Sequence, residues 1–268
     1  MKKLNHLAEI YKNYDTYIID LWGVMHNGVR LNPKAIEVVK NLIKNKKKVI
    51  FLSNAPRPSK EVKKFLQELK MEDKYLQNIM TSGEAAMITL KKNIYGKYFY
   101  HLGPERDNAV FSKIKENKTS LEECNFILCT GLFDNQEGGL KYYKDLLKKH
   151  TSKKLICTNP DLTVHRGDVE EYCAGSIAKI FESLGGKTVY FGKPYKEIYK
   201  MCFSEKEKVI AIGDNLNTDI KGANTMKIDS VFISEGVHRS EFKEERELSD
   251  LSNKYEVKLN YYQPELIW

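Results

Sequence analysis

The sequence predicts an α/β protein: a doubly wound, mostly parallel sheet built from both ends of the chain, with a second α/β domain inserted between them. Three observations lead there. Short, uninterrupted apolar runs such as Tyr17-Ile18-Ile19, Val49-Ile50-Phe51-Leu52 and Val209-Ile210-Ala211-Ile212 read as strands buried on both faces. They alternate with segments of helical period, an order that implies parallel strands joined by right-handed crossovers. The middle of the chain then repeats a β/α rhythm of its own. We place the core in residues 1–81 and 187–268 and the inserted domain in 82–186.

In chain order, residues 4–11 read as a short leading helix and 14–20 as the first strand. Gly23, Asn27 and Gly28 mark a re-orienting loop. Asn32-Pro33 opens a helix, Asn32 as N-cap and Pro33 in the first turn, with Ile36, Val39, Leu42 and Ile43 at helical spacing. The second strand, 49–52, ends at Ser53-Asn54. Pro58-Ser59 starts a helix carrying Val62, Phe65, Leu66 and Leu69. Within the insert we expect a helix from Thr81 to Leu90, strands at 97–102, 125–129 and 154–157, and helices at 140–149 and 174–184. A strand at 189–191 returns the chain to the core, followed by a helix to Cys202. The strand 209–212 then precedes Gly213-Asp214, a helix at 220–226 and a strand at 230–233. The apolar residues of the tail are expected to pack on the core. Gly138-Gly139 and Gly185-Gly186 read as turns.

A hydrophobic content of 41% supports an ordinary buried core. No apolar run approaches the roughly 18 residues of a membrane span, and residues 1–10 lack a signal peptide's apolar block, so a soluble, cytoplasmic protein is expected. Five cysteines, an odd number without zinc-ligand spacing, read as reduced thiols. Cys129 and Cys157 end apolar strands and read as core, and His101 and His165 have no partner at metal-ligand spacing. The net charge of +8 raises the question of nucleic acid. The lysines, however, are scattered in short runs, as on solvated faces. We expect neither nucleic acid nor membrane as a partner, but a small anionic molecule.

Ligands of an open parallel sheet bind at the carboxyl ends of its strands. Four apolar segments here end in Asp20, Ser53, Lys193 and Asp214, with Asp219 at the start of the next helix. Each alone has a plain reading as a turn or helix cap; together they suit phosphoryl transfer. A carboxylate can attack phosphorus. Mg2+, which favours oxygen ligands and one or two protein carboxylates, fits Asp20 and Asp214 with a backbone carbonyl. Ser53 would hold phosphate oxygens, and Lys193 would steady nucleophile and transferring group.

The sequence resembles the haloacid dehalogenase-like superfamily, in particular its subclass IIA phosphatases with a type-two cap inserted between the second and third motifs. The stretches that carry the resemblance are Asp20-Leu21-Trp22-Gly23-Val24, Leu52-Ser53-Asn54, Gly192-Lys193-Pro194 and Gly213-Asp214-Asn215-Leu216-Asn217-Thr218-Asp219. Thr81-Ser82-Gly83-Glu84-Ala85 and Thr158-Asn159-Pro160-Asp161 are also similar to stretches of that subclass. The resemblance implies a Rossmann-like core with an α/β cap, Mg2+ as cofactor and a small phosphorylated metabolite as substrate. It makes Asp20 nucleophile and metal ligand, Ser53 and Lys193 phosphate holders, and Asp214 a metal ligand. Asp219 becomes a supporting carboxylate and Asn54 a phosphate-side donor. Asp161 is carried on the cap, which closes over the leaving group. The oligomeric state stays open, a homodimer through the cap being one outcome.

One position departs from the pattern. Where the resemblance implies a second aspartate that protonates the leaving oxygen, this chain has Trp22. Its backbone carbonyl can still serve a metal, but the indole exchanges no proton near neutral pH. Three explanations remain open at this point: substrates with good leaving groups, His26 as a substitute acid/base, or a domain that has lost turnover and binds a phosphorylated ligand.

Overall fold

The computed structural model describes residues 1–134, 139–166 and 169–268, without the side chains of His165 and Arg166. Gly138, expected in a turn, and the side chain of His165 therefore lie outside the described residues. The strands are β1 (Lys2–Lys3), β2 (Thr16–Ile19), β3 (Lys48–Ser53), β4 (Ile79–Thr81), β5 (Phe99–Leu102), β6 (Phe126–Cys129), β7 (Lys154–Cys157), β8 (Thr163–Arg166), β9 (Val169–Tyr172), β10 (Lys187–Tyr190), β11 (Val209–Gly213), β12 (Asp229–Ile233) and β13 (Tyr261–Gln263). The α-helices are α1 (Pro33–Lys44), α2 (Ser59–Glu68), α3 (Ser82–Leu90), α4 (Leu140–Leu147), α5 (Ala174–Ser183), α6 (Lys196–Lys200), α7 (Lys221–Met226) and α8 (Leu248–Lys254). Among the described residues no helix is long and apolar enough to cross a membrane.

The chain forms two compact units: Met1–Ser53, Lys63–Met80 and Lys193–Trp268 in the first, Asn54–Val62 and Thr81–Gly192 in the second. The first carries a seven-stranded sheet in the order β1-β13-β12-β11-β2-β3-β4. The pairs β1/β13, β13/β12, β12/β11, β11/β2 and β2/β3 are parallel. The chain winds one way from β2 through β3 to β4 and the other way from β11 through β12 to β13, so β2 and β11 flank the point where winding reverses. Their side chains explain the burial: Tyr17, Ile19 and Ile210 are fully covered, as are Phe51 and Phe232 beside them. Covering a side chain of that size contributes roughly 1.5–3 kcal/mol.

The helices begin where short-range chemistry directs. Asn32 Oδ1 accepts from the N–H of Lys34 at 3.1 Å, with Pro33 in the first turn of α1. Thr81 Oγ1 accepts from the N–H of Glu84 at 3.0 Å and starts α3. Both satisfy N–H groups that a helix leaves without an internal acceptor.

The leading segment differs from expectation. Instead of a helix, residues 2–13 form β1 and two three-residue 3-10 turns, Leu7–Glu9 and Tyr11–Asn13. Lys2 and Lys3 pair with Tyr261 and Tyr262 in the tail, and this long-range ladder draws the first residues into an extended state. Glu9 then accepts from the N–H of Asn5 at 2.8 Å, closing a local turn. The tail does more than pack: it supplies β13, an interior strand of the sheet. The short strands β4, β8 and β9 and helix α8 were not expected either.

The second unit holds a four-stranded parallel sheet, β10-β7-β6-β5, and the separate antiparallel pair β8/β9; the strand expected at 189–191 to return the chain to the core is instead β10 of this sheet, because Thr188, Val189 and Tyr190 pair with Leu155, Ile156 and Cys157 of β7. Its core gathers Leu102, Ile127, Cys129, Tyr143, Leu147, Leu155, Cys157, Ile177 and Phe181. Cys129 and Cys157 sit opposite one another in neighbouring strands, fully buried and free, and burial pushes both thiols well up from their usual range.

Candidate active site

In the first unit the reversal point of the sheet carries acids. Asp20 follows β2 directly, and its N–H donates to Ile212 O of β11 at 2.9 Å. Asp214 follows β11. Asp219 lies on a single π-helical turn, Leu216–Ile220, that leads into α7. One oxygen from each of these three carboxylates lies within 4.8 Å of the others, and all three residues are buried. Ser53 closes β3, the strand beside β2, two residues beyond the Ile19/Phe51 pair.

Lys193 completes the cluster. Its ammonium, 3% exposed, donates to Asp20 Oδ1 at 2.6 Å and to Asp219 Oδ1 at 2.6 Å. Burial first, and then the nearby Asp219 carboxylate, push Asp20 well above the usual carboxylate range; Lys193 pulls the other way. With all four groups ionised the cluster holds three negative charges and one positive. A net charge of that size is costly without a counter-ion.

The backbone is shaped to admit this crowding. Gly23 has φ +85°, and a Cβ on it would stand 2.1 Å from Asp214 Oδ2. Only glycine fits both demands. Asp214 Oδ2 in turn accepts from the N–H of Val237 at 2.8 Å, and Asp219 Oδ2 from the N–H of Asn215 at 3.2 Å. Both carboxylates are thus oriented by main-chain donors.

Trp22 lies on the loop that leaves β2. Its half-buried indole covers Gly28, where an added Cβ would come within 2.7 Å of the ring. The ring meets His26 edge-on at 5.1 Å, and His26 meets Phe65 edge-on at 5.4 Å. His26 is buried, and that burial lowers its imidazole to about 4. Its Nδ1 accepts from the N–H of Gly28 at 3.0 Å, which places the proton on Nε2. The ring is therefore neutral near pH 7 and structurally committed, which counts against its serving as a substitute acid.

The remaining two expected residues meet in the second unit. Asn54 Nδ2 donates to Asp161 Oδ1 at 3.1 Å, while the N–H of Asp161 donates to Asn159 Oδ1 at 3.1 Å. The structure thus gathers Asp20, Lys193, Asp214 and Asp219 in one unit and Asn54 with Asp161 in the other.

The chain is similar to known proteins over most of its length. Residues 17–115 match the family described as haloacid dehalogenase-like hydrolase, and residues 190–254 match the HAD-hydrolase-like family. The chain belongs to the haloacid dehalogenase-like hydrolases. Among its relatives, the 5'-nucleotidase YutF of Bacillus subtilis is 25% identical over 240 residues, covering 86% of this chain and 91% of that protein. The acid sugar phosphatase of Staphylococcus epidermidis is 23% identical over 243 residues, covering 88% and 93%. A crystal structure of a haloacid dehalogenase-like family hydrolase from Brucella suis superposes with a TM-score of 0.86 at 26% identity, covering 98% of this chain and all of that one. As in the sequence reading, this hydrolase has an α/β architecture with mostly parallel sheets.

His238, Glu241 and the N–H of Val237 were missed by sequence reasoning. His238 accepts from the N–H of Leu216 at 3.1 Å through Nε2, between two carboxylates of the cluster in sequence. Nothing in the local sequence marks it, since its partner lies 22 residues earlier.

Proposed function

We propose that this hydrolase is a Mg2+-dependent phosphatase of small phosphate monoesters that works through an aspartyl phosphate on Asp20. The observation that supports it is the buried cluster of three carboxylates and one ammonium at the sheet's reversal point. Its charge falls two short of neutrality when all four groups are ionised, and its donors are hard oxygens. A divalent cation fits both features. Asp20 and Asp214, with the backbone carbonyl of Trp22, would hold it, and it would supply the positive charge that lets a carboxylate and a phosphate approach.

Lys193 engages Oδ1 of Asp20, so Oδ2 is the oxygen disposed to attack. A bond forms from that oxygen to phosphorus as the ester P–O bond breaks, and the leaving oxygen takes a proton from solvent water to depart as the alcohol. Water then attacks phosphorus, the bond to Asp20 breaks, and inorganic phosphate is released. Lys193 and Ser53 hold the transferring phosphoryl oxygens, and Asp219 keeps Lys193 in place. We assign the choice of substrate to the second unit, where Asn54 and Asp161 are hydrogen-bonded to one another. The relatives' activities, a 5'-nucleotidase and an acid sugar phosphatase, support a small phosphorylated metabolite as substrate.

Trp22 and the neutral His26 favour a second reading, in which the domain binds a phosphorylated ligand and turns it over poorly. Phosphate release from a metabolite panel, with Mg2+ and with EDTA, separates the two. The first reading expects Mg2+-dependent release that Asp20→Asn abolishes; release untouched by Asp20→Asn would remove the mechanism.

A further inference from the structure

Asp214 and Asp219 are five residues apart, and the turn between them must keep both carboxylates aimed at one point. Part of that control is local: Asn215 Oδ1 accepts from the N–H of Asn217 at 2.9 Å, and Asn215 O accepts from the N–H of Asp219 at 2.9 Å. The N–H of Leu216, fully buried, has an acceptor from elsewhere, Nε2 of His238 at 3.1 Å. A ring nitrogen that accepts carries no proton, so the proton is on Nδ1. Nδ1 faces Glu241 Oε1 at 2.5 Å and donates to it.

Glu241 is itself fixed. Lys254, at the end of α8, donates to Oε2 at 2.6 Å, and the hydroxyl of Tyr255 donates to Oε1 at 2.8 Å. Burial works against the charge, but Lys254, His238 and Tyr255 hold Glu241 down at about 2. The Tyr255 ring also meets the imidazole edge-on at 4.7 Å. His238 is thus a buried neutral ring with a single allowed tautomer, held from behind by an anion and presenting an acceptor to the cluster's turn. Beside it, the Val237 N–H bonds Asp214 Oδ2 directly.

We propose that His238 is a positioning residue of the carboxylate cluster: oriented by Glu241, it sets the Asp214–Leu216 turn and thereby the cluster's affinity for a divalent cation. The role rests on the proposed function, in that the cluster holds Mg2+. His238 touches neither cation nor substrate and acts only through the turn.

Two substitutions separate this role from simple packing. In His238→Gln the side-chain oxygen reaches the place of Nε2, so the acceptor for Leu216 survives while the bond to Glu241 is lost. In His238→Asn the amide stands near Nδ1 and can still donate to Glu241, but nothing accepts from Leu216. Titration calorimetry with MgCl2 on the purified chain, with circular dichroism to verify folding, gives the comparison. Supporting partners of this kind are typically worth about 10–100-fold in metal affinity. We expect a loss of that size in His238→Asn and a smaller one in His238→Gln, whose acceptor survives but is no longer oriented by Glu241. Independently of any metal, amide exchange at Leu216 should accelerate in His238→Asn alone, and nitrogen NMR should show the proton of wild-type His238 on Nδ1. Equal Mg2+ affinity in wild type and His238→Asn, or a proton on Nε2, overturns this inference alone. A wild-type chain that takes up no Mg2+ overturns the proposed function and this inference with it.

Discussion

Replacing Lys193 by methionine is the sharpest test of the cluster, because its effect on the metal-free protein and its response to metal run in opposite directions. The ammonium makes two contacts of 2.6 Å to buried carboxylates. At an effective dielectric of about 20, each is worth roughly 6 kcal/mol of Coulomb attraction before desolvation is counted. Desolvation of the ion takes back much of this, and breaking a buried pair typically costs about 3–5 kcal/mol through the charge left uncompensated. The side chain of methionine keeps most of the volume, so cavity formation adds little. At about 2–4 °C per kcal/mol, the melting temperature in EDTA should fall by roughly 6–20 °C. Removing the lysine also deepens the negative potential that a cation meets. Millimolar MgCl2 should therefore raise the melting temperature of Lys193→Met by more than it raises that of wild type, while phosphate release is lost. Calorimetric melting of both proteins in EDTA and in MgCl2 supplies all four values. A variant as stable as wild type in EDTA, or one whose response to Mg2+ is no larger, would refute the charge argument.

Two further outcomes are expected. Trp22→Asp should raise turnover of alkyl phosphates by about 10²–10⁴ and change that of a nitrophenyl ester far less; steady-state kinetics on both ester types checks this, and no gain on the alkyl esters would show that a proton donor is not what this position lacks. In the second unit, burial pushes the Asp107 carboxyl up to about 6 against the opposing pull of Arg57. That value lies above the unfolded one near 3.9, so the folded state binds the extra proton and the stability associated with it is lost as pH rises from about 4 to about 6. Two units correspond to roughly 3 kcal/mol. Urea unfolding of wild type should fall by about that amount relative to Asp107→Asn across this window, and identical pH slopes would sink the assignment.

Much of the site could be read in the sequence because its residues sit where local patterns are strongest. Asp20 and Asp214 each follow an apolar run long enough to be recognised as a buried strand, and the order of those runs fixes which strand ends neighbour one another. What could not be read depends on distant partners. Strands β4, β8, β9 and β13 carry no run of three consecutive apolar residues like those of the equally short β2, β6 and β7, and β1 pairs only with the distant tail. His238 has the same character: its meaning depends on one N–H that no local pattern identifies. Trp22 stands between these cases. The sequence shows which group is missing, but only the structure shows the indole laid over Gly28 and edge-on to a neutral His26.

That contrast separates two kinds of catalytic help within one site. Every charged member of the cluster is held by at least one donor or acceptor from a different element: Lys193 by Asp20 and Asp219, Asp214 by Val237, and the turn between the two later aspartates by His238. Such redundancy is what preorganised electrostatic stabilisation requires, and that contribution is usually the largest single one in phosphoryl transfer. Proton transfer has no comparable support in the first unit, where position 22 carries an indole and the nearby imidazole is neutral with Nδ1 bound to the Gly28 N–H. On the proposed mechanism, such a cluster would bring a carboxylate and a phosphate together. Neither Trp22 nor the neutral His26 gives a proton to a poor leaving group on that mechanism, so the rate should depend on the alcohol released more steeply than on the phosphate held.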